Sequence, residues 1–269
     1  MATAGAVKWM QGICKLCRTD AELQLSHYYM GKALYRLCTN GNDKPILVSP
    51  EYVKQTQTQI KDYLLCSPCE ERFNRNGENY TMTLLNRAEG FKLMDLIRAN
   101  RPYYTYPETV YRADEMGIDT QRIAYFALSI LWRGSHVWPP RDGFAAGGLN
   151  LGVHEERIRR YLLGIGSFPV GAVVKVTAAT DMITQGISDF PRPNLGQVDA
   201  TAFTFITFGL VFDIVIGDPL PEYVYESCCV QSTGKLIFVG DFDKFTSWDY
   251  RYCKQNAVID PKVQRISSS

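Results

Sequence analysis

Two short cysteine pairs constrain this chain more than any other feature: Cys14-Lys-Leu-Cys17 and Cys66-Ser-Pro-Cys69. Two residues between cysteines let one tight turn aim both sulfurs at a common point. Two such turns supply the four ligands of a tetrahedral zinc site. A site of this kind pins together residues that are distant in sequence, so the segment between the pairs has to fold back on itself. The chain has 8 cysteines in 269 residues, too sparse for a disulfide scaffold. Its opening, Met1 to Cys17, offers no apolar run of signal-peptide length, and Lys8 interrupts it. The longest apolar run, 202–216, is too short to span a membrane as a helix and carries Gly209 and Asp213. These features predict a cytoplasmic protein without a membrane contact, whose paired cysteines bind metal rather than each other.

The second pair reads as the start of a helix. Pro68 suits a first helical turn, Glu70 and Glu71 place negative charge near the positive end of the helix dipole, and Phe73, Tyr80 and Leu84 continue an apolar side. A knuckle in a turn, a hairpin and a second knuckle on a helix resemble a treble clef. Beyond it, Leu84, Ala88, Phe91, Met94 and Ile97 recur at helical spacing. Asp119 or Thr120 can cap a helix with Ile123, Phe126, Ala127, Ile130 and Leu131 inward. A further helix from about Val153 stops at Gly164. The segments 170–178, 201–216, 223–230 and 236–239 are rich in β-branched and aromatic residues and read as strands. The fold class expected is therefore α+β, in three parts. Residues 1–82 form an N-terminal zinc treble clef, 83–164 a helical segment, and 165–269 a β-rich C-terminal unit.

Taken together, Cys14-Lys-Leu-Cys17, Leu25-Ser-His27, Tyr63-Leu-Leu-Cys66-Ser-Pro-Cys69-Glu70 and Phe73-Asn-Arg-Asn-Gly-Glu78 resemble the HNH endonuclease-like proteins of the ββα-metal type, over roughly residues 10–82. The resemblance implies a metal-dependent endonuclease acting on DNA phosphodiesters. His27 falls on the position of the general base, and Glu70 on that of the last ligand of a catalytic Mg²⁺ or Mn²⁺. Asp62 or Asn74 would complete that ion's shell, with Asn76 and Glu78 as further substitutes, and zinc on the four cysteines would be structural. The chain departs from the family pattern in two places. Ser26 stands where a carboxylate normally precedes the base, and Lys61 or Asp62 stands at the central asparagine position.

Those departures, with a net charge of only +1, support a reading of another class. A nuclease normally carries more basic surface. The alternative is a catalytically silent zinc-stabilised binding module whose β-rich C-terminal region recognises a protein or ligand, as one component of a bacterial or phage defence system. Outside the motif, Arg133, Arg141, Arg157, Arg159 and Arg160 are expected on solvated helix faces, with phosphate contacts as the rival role. Trp132, Trp138, Tyr103 and Tyr104 are expected in core or loop packing, His154 on a helix surface, and Cys38 as a buried free thiol. Cys228 and Cys229 adjoin on an expected strand and so face opposite sides.

Overall fold

The computed structural model describes residues 10–29, 38, 46–48, 53–55, 59–87, 90–106, 108–140, 147–181, 184–194, 201–226 and 235–240. Cys228, Cys229, Cys253, Arg141 and the chain's last dozen residues lie outside them.

Three antiparallel strands carry the cysteine pairs. β1 (Met10–Ile13) pairs with β2 (Asp20–His27), and β2 pairs with a strand later in the chain, β5 (Lys61–Cys66). A short hairpin, β3 (Ile46–Val48) and β4 (Val53–Gln55), lies between β2 and β5 in sequence. β5 runs directly into α1 (Ser67–Phe73), with Pro68 in the first turn, where a missing N–H costs nothing, and Glu70 as the acidic residue there. The helix does not stop at Phe73. It widens into a π-helical turn at Asn74–Glu78 and continues as α2 (Asn79–Leu85). The Leu84–Ile97 periodicity belongs to two helices, since α2 ends at Leu85 and Phe91 caps α3 (Lys92–Ala99).

The middle of the chain is not wholly helical. β6 (Thr109–Arg112) leaves it to pair antiparallel with β11 (Leu236–Gly240) at one edge of a six-stranded sheet. Four polar-flanked residues give no periodicity worth reading, so only the long-range pairing defines this strand. From β6 the sheet continues through β11, β7 (Ala172–Ala179), β10 (Leu210–Ile216), β9 (Thr201–Thr207) and β8 (Arg192–Asn194). The β11–β7 pair is parallel and the rest are antiparallel. The apolar run at 202–216 is the β9–β10 hairpin, turned at Phe208 and Gly209, both with positive φ. Of the segment 223–230, expected as strand, the described part lies in a short helix, α6 (Glu222–Glu226), and 227–230 lie outside the described residues. Pro221 sets the first turn of α6, accepting from Val224 N–H at 3.0 Å, where β-branched and aromatic content suggests a strand.

One helix joins everything. α4 (Thr120–Gly134) is capped by Asp119, whose Oδ1 accepts from the backbone N–H groups of Gln121 and Arg122. It is buried nearly all round, as expected of a helix lying between two layers. Phe126 meets Phe212 of the sheet at a ring separation of 5.8 Å. Trp132 meets Phe73 of the cysteine-bearing unit at 6.0 Å. α5 (His154–Leu163) packs beside it and ends at Gly164 in the left-handed region, φ 78°, as the sequence predicts. A single hydrophobic cluster contains Cys14, Ile130 and Phe212 alike, so the three sequence segments share a core.

Candidate metal centre

Cys14 and Cys17 sit in the turn between β1 and β2, and Cys66 and Cys69 at the junction of β5 and α1. The turn closes through Arg18 N–H to Cys14 O at 2.8 Å, with Arg18 in the left-handed region. Lys15 N–H donates to Leu64 O at 3.0 Å, tying the first knuckle to the strand that delivers the second. The four sulfurs all lie within 4.8 Å of one another. Cys17 Sγ and Cys66 Sγ are 3.8 Å apart, and tetrahedral Zn–S bonds of about 2.3 Å require S···S separations of about 3.8 Å. Cys66 N–H donates to Cys14 Sγ (3.4 Å), and the Thr19 hydroxyl lies 2.9 Å from Cys17 Sγ. Cys14 takes negative charge readily. A hydrogen bond from the Cys69 thiol, with backbone donors, pushes its pKa down to about 4, and the Cys69 thiol is correspondingly pushed up. Three of the four cysteines are buried. The set is placed to hold a metal ion, and its chemistry suits zinc.

α5 braces this centre from outside. Arg159, expected on a solvated face, is buried, 6 % exposed, and donates through its guanidinium to Leu16 O inside the first knuckle. Glu156 holds Arg159 through two hydrogen bonds of 2.8 Å and also pairs with Arg18. A carbonyl between two of the clustered cysteines is thus fixed by a cation, which would suit the negative charge of a four-thiolate metal site.

A second polar centre lies on the other side of α1. Arg133, also expected at the surface, is 1 % exposed. Its guanidinium donates to Glu78 Oε1 at 2.6 Å, stands 3.6 Å from Glu70 Oε2, and lies over the Phe73 ring at 4.8 Å. Glu78 reaches it because Gly77 lets the π-helical turn press against α4. A Cβ on Gly77 would come within 2.8 Å of the Phe126 backbone nitrogen. Ser26 is buried, accepts from Leu65 N–H at 3.2 Å, and its hydroxyl also supports Glu70. Burial pushes the Glu70 carboxyl above its usual range, against the pull of Arg133 and Ser26, and its Oε1 is buried with no partner.

The remaining residues implied by the resemblance are spread around this centre. His27 ends β2 opposite Lys61, half-buried, with Nε2 3.0 Å from Gln59 Oε1. Burial, then the Lys61 charge, depresses its pKa to about 4, so the ring is neutral near pH 7. Asp62 faces Ser26 across the ladder, and its Oδ1 accepts from Tyr63 N–H at 2.8 Å. Asn74 is exposed on the π-helical turn. Among the described residues, no second group of three or more His, Cys, Asp or Glu side chains is gathered closely enough to hold a metal.

Sequence reasoning missed Arg133 and Arg159. The available signal for Arg133 was its place at the end of the apolar run Ile123–Trp132, where an arginine facing inward must find carboxylates. Cys38 is buried, its thiol pushed up to about 12 by that burial, and Trp132 and Trp138 are core residues. Tyr103 and Tyr104 remain about half exposed, packed on each other and, for Tyr103, under Arg112. No helix among the described residues is long and apolar enough to cross a membrane. No protein-family model, curated protein or solved structure matches the chain.

Proposed function

We propose that this protein is a catalytically silent, zinc-stapled recognition module built on an HNH-like treble clef. In this reading zinc on Cys14, Cys17, Cys66 and Cys69 is structural, and the β-rich C-terminal region presents the surface for a protein or ligand. The observation that carries it is Arg133. A buried guanidinium joins Glu78 and Glu70, so the cation serving the carboxylate at the family's last ligand position belongs to the chain itself. Asp62 is engaged with its own strand and Asn74 faces solvent. A zinc-loaded preparation incubated with DNA and Mg²⁺ or Mn²⁺, beside a His27→Ala control, is expected to show no cleavage in either case. Elemental analysis of the same preparation is expected to give one zinc per chain. Cleavage by the parent protein that disappears in His27→Ala would sink the proposal.

One observation favours the endonuclease reading instead: Glu70 Oε1 is buried and unpartnered, and His27 is a neutral imidazole. There, His27 would take a proton from water while Glu70, with Asp62 or Asn74, held the divalent ion against a DNA phosphate. That reading needs Glu70 to turn away from Arg133. The assay above separates the two.

A further inference from the structure

The four sulfurs of the cysteine centre are not equally sheltered. Cys14, Cys66 and Cys69 are buried, whereas Cys17 is half-buried. Arg18, Thr19 and Asp20, which follow it, are all exposed, so the turn brings the Cys17 side of the centre to the surface. There Cys17 Sγ meets the Thr19 hydroxyl at 2.9 Å. A guanidinium lies close by, since Arg159 donates to the carbonyl of Leu16, the residue before Cys17. A partly exposed sulfur beside a cation is the setting in which one cysteine is oxidised ahead of its neighbours.

The second sulfur that a disulfide needs is already at hand. Cys66 Sγ stands 3.8 Å from Cys17 Sγ, and the bond requires about 2.05 Å. The backbones carrying the two are tied together, by Lys15 N–H to Leu64 O at 3.0 Å, and Cys66 N–H donates to Cys14 Sγ at 3.4 Å. Closure is therefore a movement of side chains across a fixed junction. Cys38 stands apart from this group, buried with its sulfur 3.7 Å from Met82 Sδ.

We propose that the cysteine centre is a peroxide-responsive switch, in which Cys17 is oxidised first, forms a disulfide with Cys66 and so releases the metal. The oxidant is hydrogen peroxide. The Cys17 sulfur attacks one peroxide oxygen, the O–O bond breaks, and the other oxygen leaves as hydroxide, which solvent protonates. The Cys66 thiolate then attacks the sulfenic sulfur of Cys17. The S–S bond forms, the S–O bond breaks, and a second hydroxide leaves and is protonated. Two electrons have passed from the two thiolates to the peroxide, which ends as two waters. Cys14 and Cys69 stay reduced, leaving two ligands where a structural zinc takes four. A thiol reductant reverses the disulfide by exchange.

The inference rests on zinc being held by the four cysteines, and it is the same for either reading of the Arg133 centre. The full chain is first analysed for zinc, then treated with hydrogen peroxide. A chelating dye follows metal release, and peptide mapping after thiol alkylation locates the disulfide. Release of the zinc together with a Cys17–Cys66 disulfide is expected, and dithiothreitol with added zinc should restore the starting state. Cys17→His keeps a zinc ligand while removing the reacting sulfur, and should slow release about tenfold or more. Absence of zinc before the peroxide defeats the zinc reading itself. Zinc that stays bound while peroxide oxidises Cys38, or a disulfide that joins any other pair, overturns the switch alone. So does a zinc-loaded Cys17→His chain that releases its metal as fast as the parent.

Discussion

The two polar centres beside α1 solve the problem of buried charge in opposite ways. On one side four thiols converge with no positive side chain among them, so their charge calls for an ion from outside. On the other, two carboxylates converge with Arg133 already between them, so the chain supplies its own cation. Cys69 and Glu70 are neighbours in sequence, yet one serves each centre. The first site would contribute its full stability only with a metal bound. The second is fixed whenever the chain folds, and it is costly to disturb because each charge depends on its partners.

The largest effect expected is on the cysteine side. Cys66→Ser or removal of metal by a chelator should unfold the β1–β2–β5 and α1 unit, since structural zinc supplies on the order of 10 kcal/mol in small domains. Far-ultraviolet circular dichroism with zinc analysis checks this, and an unchanged melt after full metal removal would show that the sulfurs need no ion. Next comes Arg133→Met, which strands Glu70 and Glu78 and should cost about 3–5 kcal/mol in urea unfolding. Adding Glu70→Gln and Glu78→Gln to it should recover much of the loss. If the single variant is as stable as the parent, the two centres are not the contrast drawn above.

Gly77→Ala tests how Glu78 is delivered. The new methyl group meets the α4 backbone rather than a yielding side chain, and a loss of about 1–3 kcal/mol is expected. Acid should act on His27 as well. Its folded pKa of about 4 lies below the ordinary 6.5, so the unfolded chain binds more protons between those values. Its contribution is complete above about pH 6.5 and is lost as the pH falls toward 4. His27→Gln should therefore flatten the dependence of the urea midpoint on pH in that window relative to the parent, whose metal site titrates in both. The smallest effect is at Glu156, where the Arg18 pair is largely exposed. Glu156→Gln should cost only a few tenths of a kcal/mol through that pair, plus whatever Arg159 loses in its grip on Leu16 O.

The cysteine centre was legible because its signal is local: each C-x2-C turn specifies its own geometry, and only the meeting of the two turns is long-range. The Asp119 cap, the Gly164 stop and the strand character of 201–216 were legible for the same reason, whereas the turn that makes 201–216 a hairpin was not read. Arg133 was not, because an arginine in a helix looks the same whether it meets water or Glu78. β6 was missed because its partner, β11, lies nearly half the chain's length away along the sequence.

The sequence by itself therefore determined the four-cysteine set, the α+β class, the starts of α1, α4 and α5 and the end of α5, since caps, turn residues and apolar spacing act over a few residues. Only the tertiary structure decided that α1 continues through a π-helical turn against α4, and that Arg133 and Arg159 are interior cations. It alone decided that the carboxylate after the last cysteine faces a guanidinium. Those outcomes depend on which surfaces meet, and the energy of a buried charge is set by neighbours that the local chain does not specify.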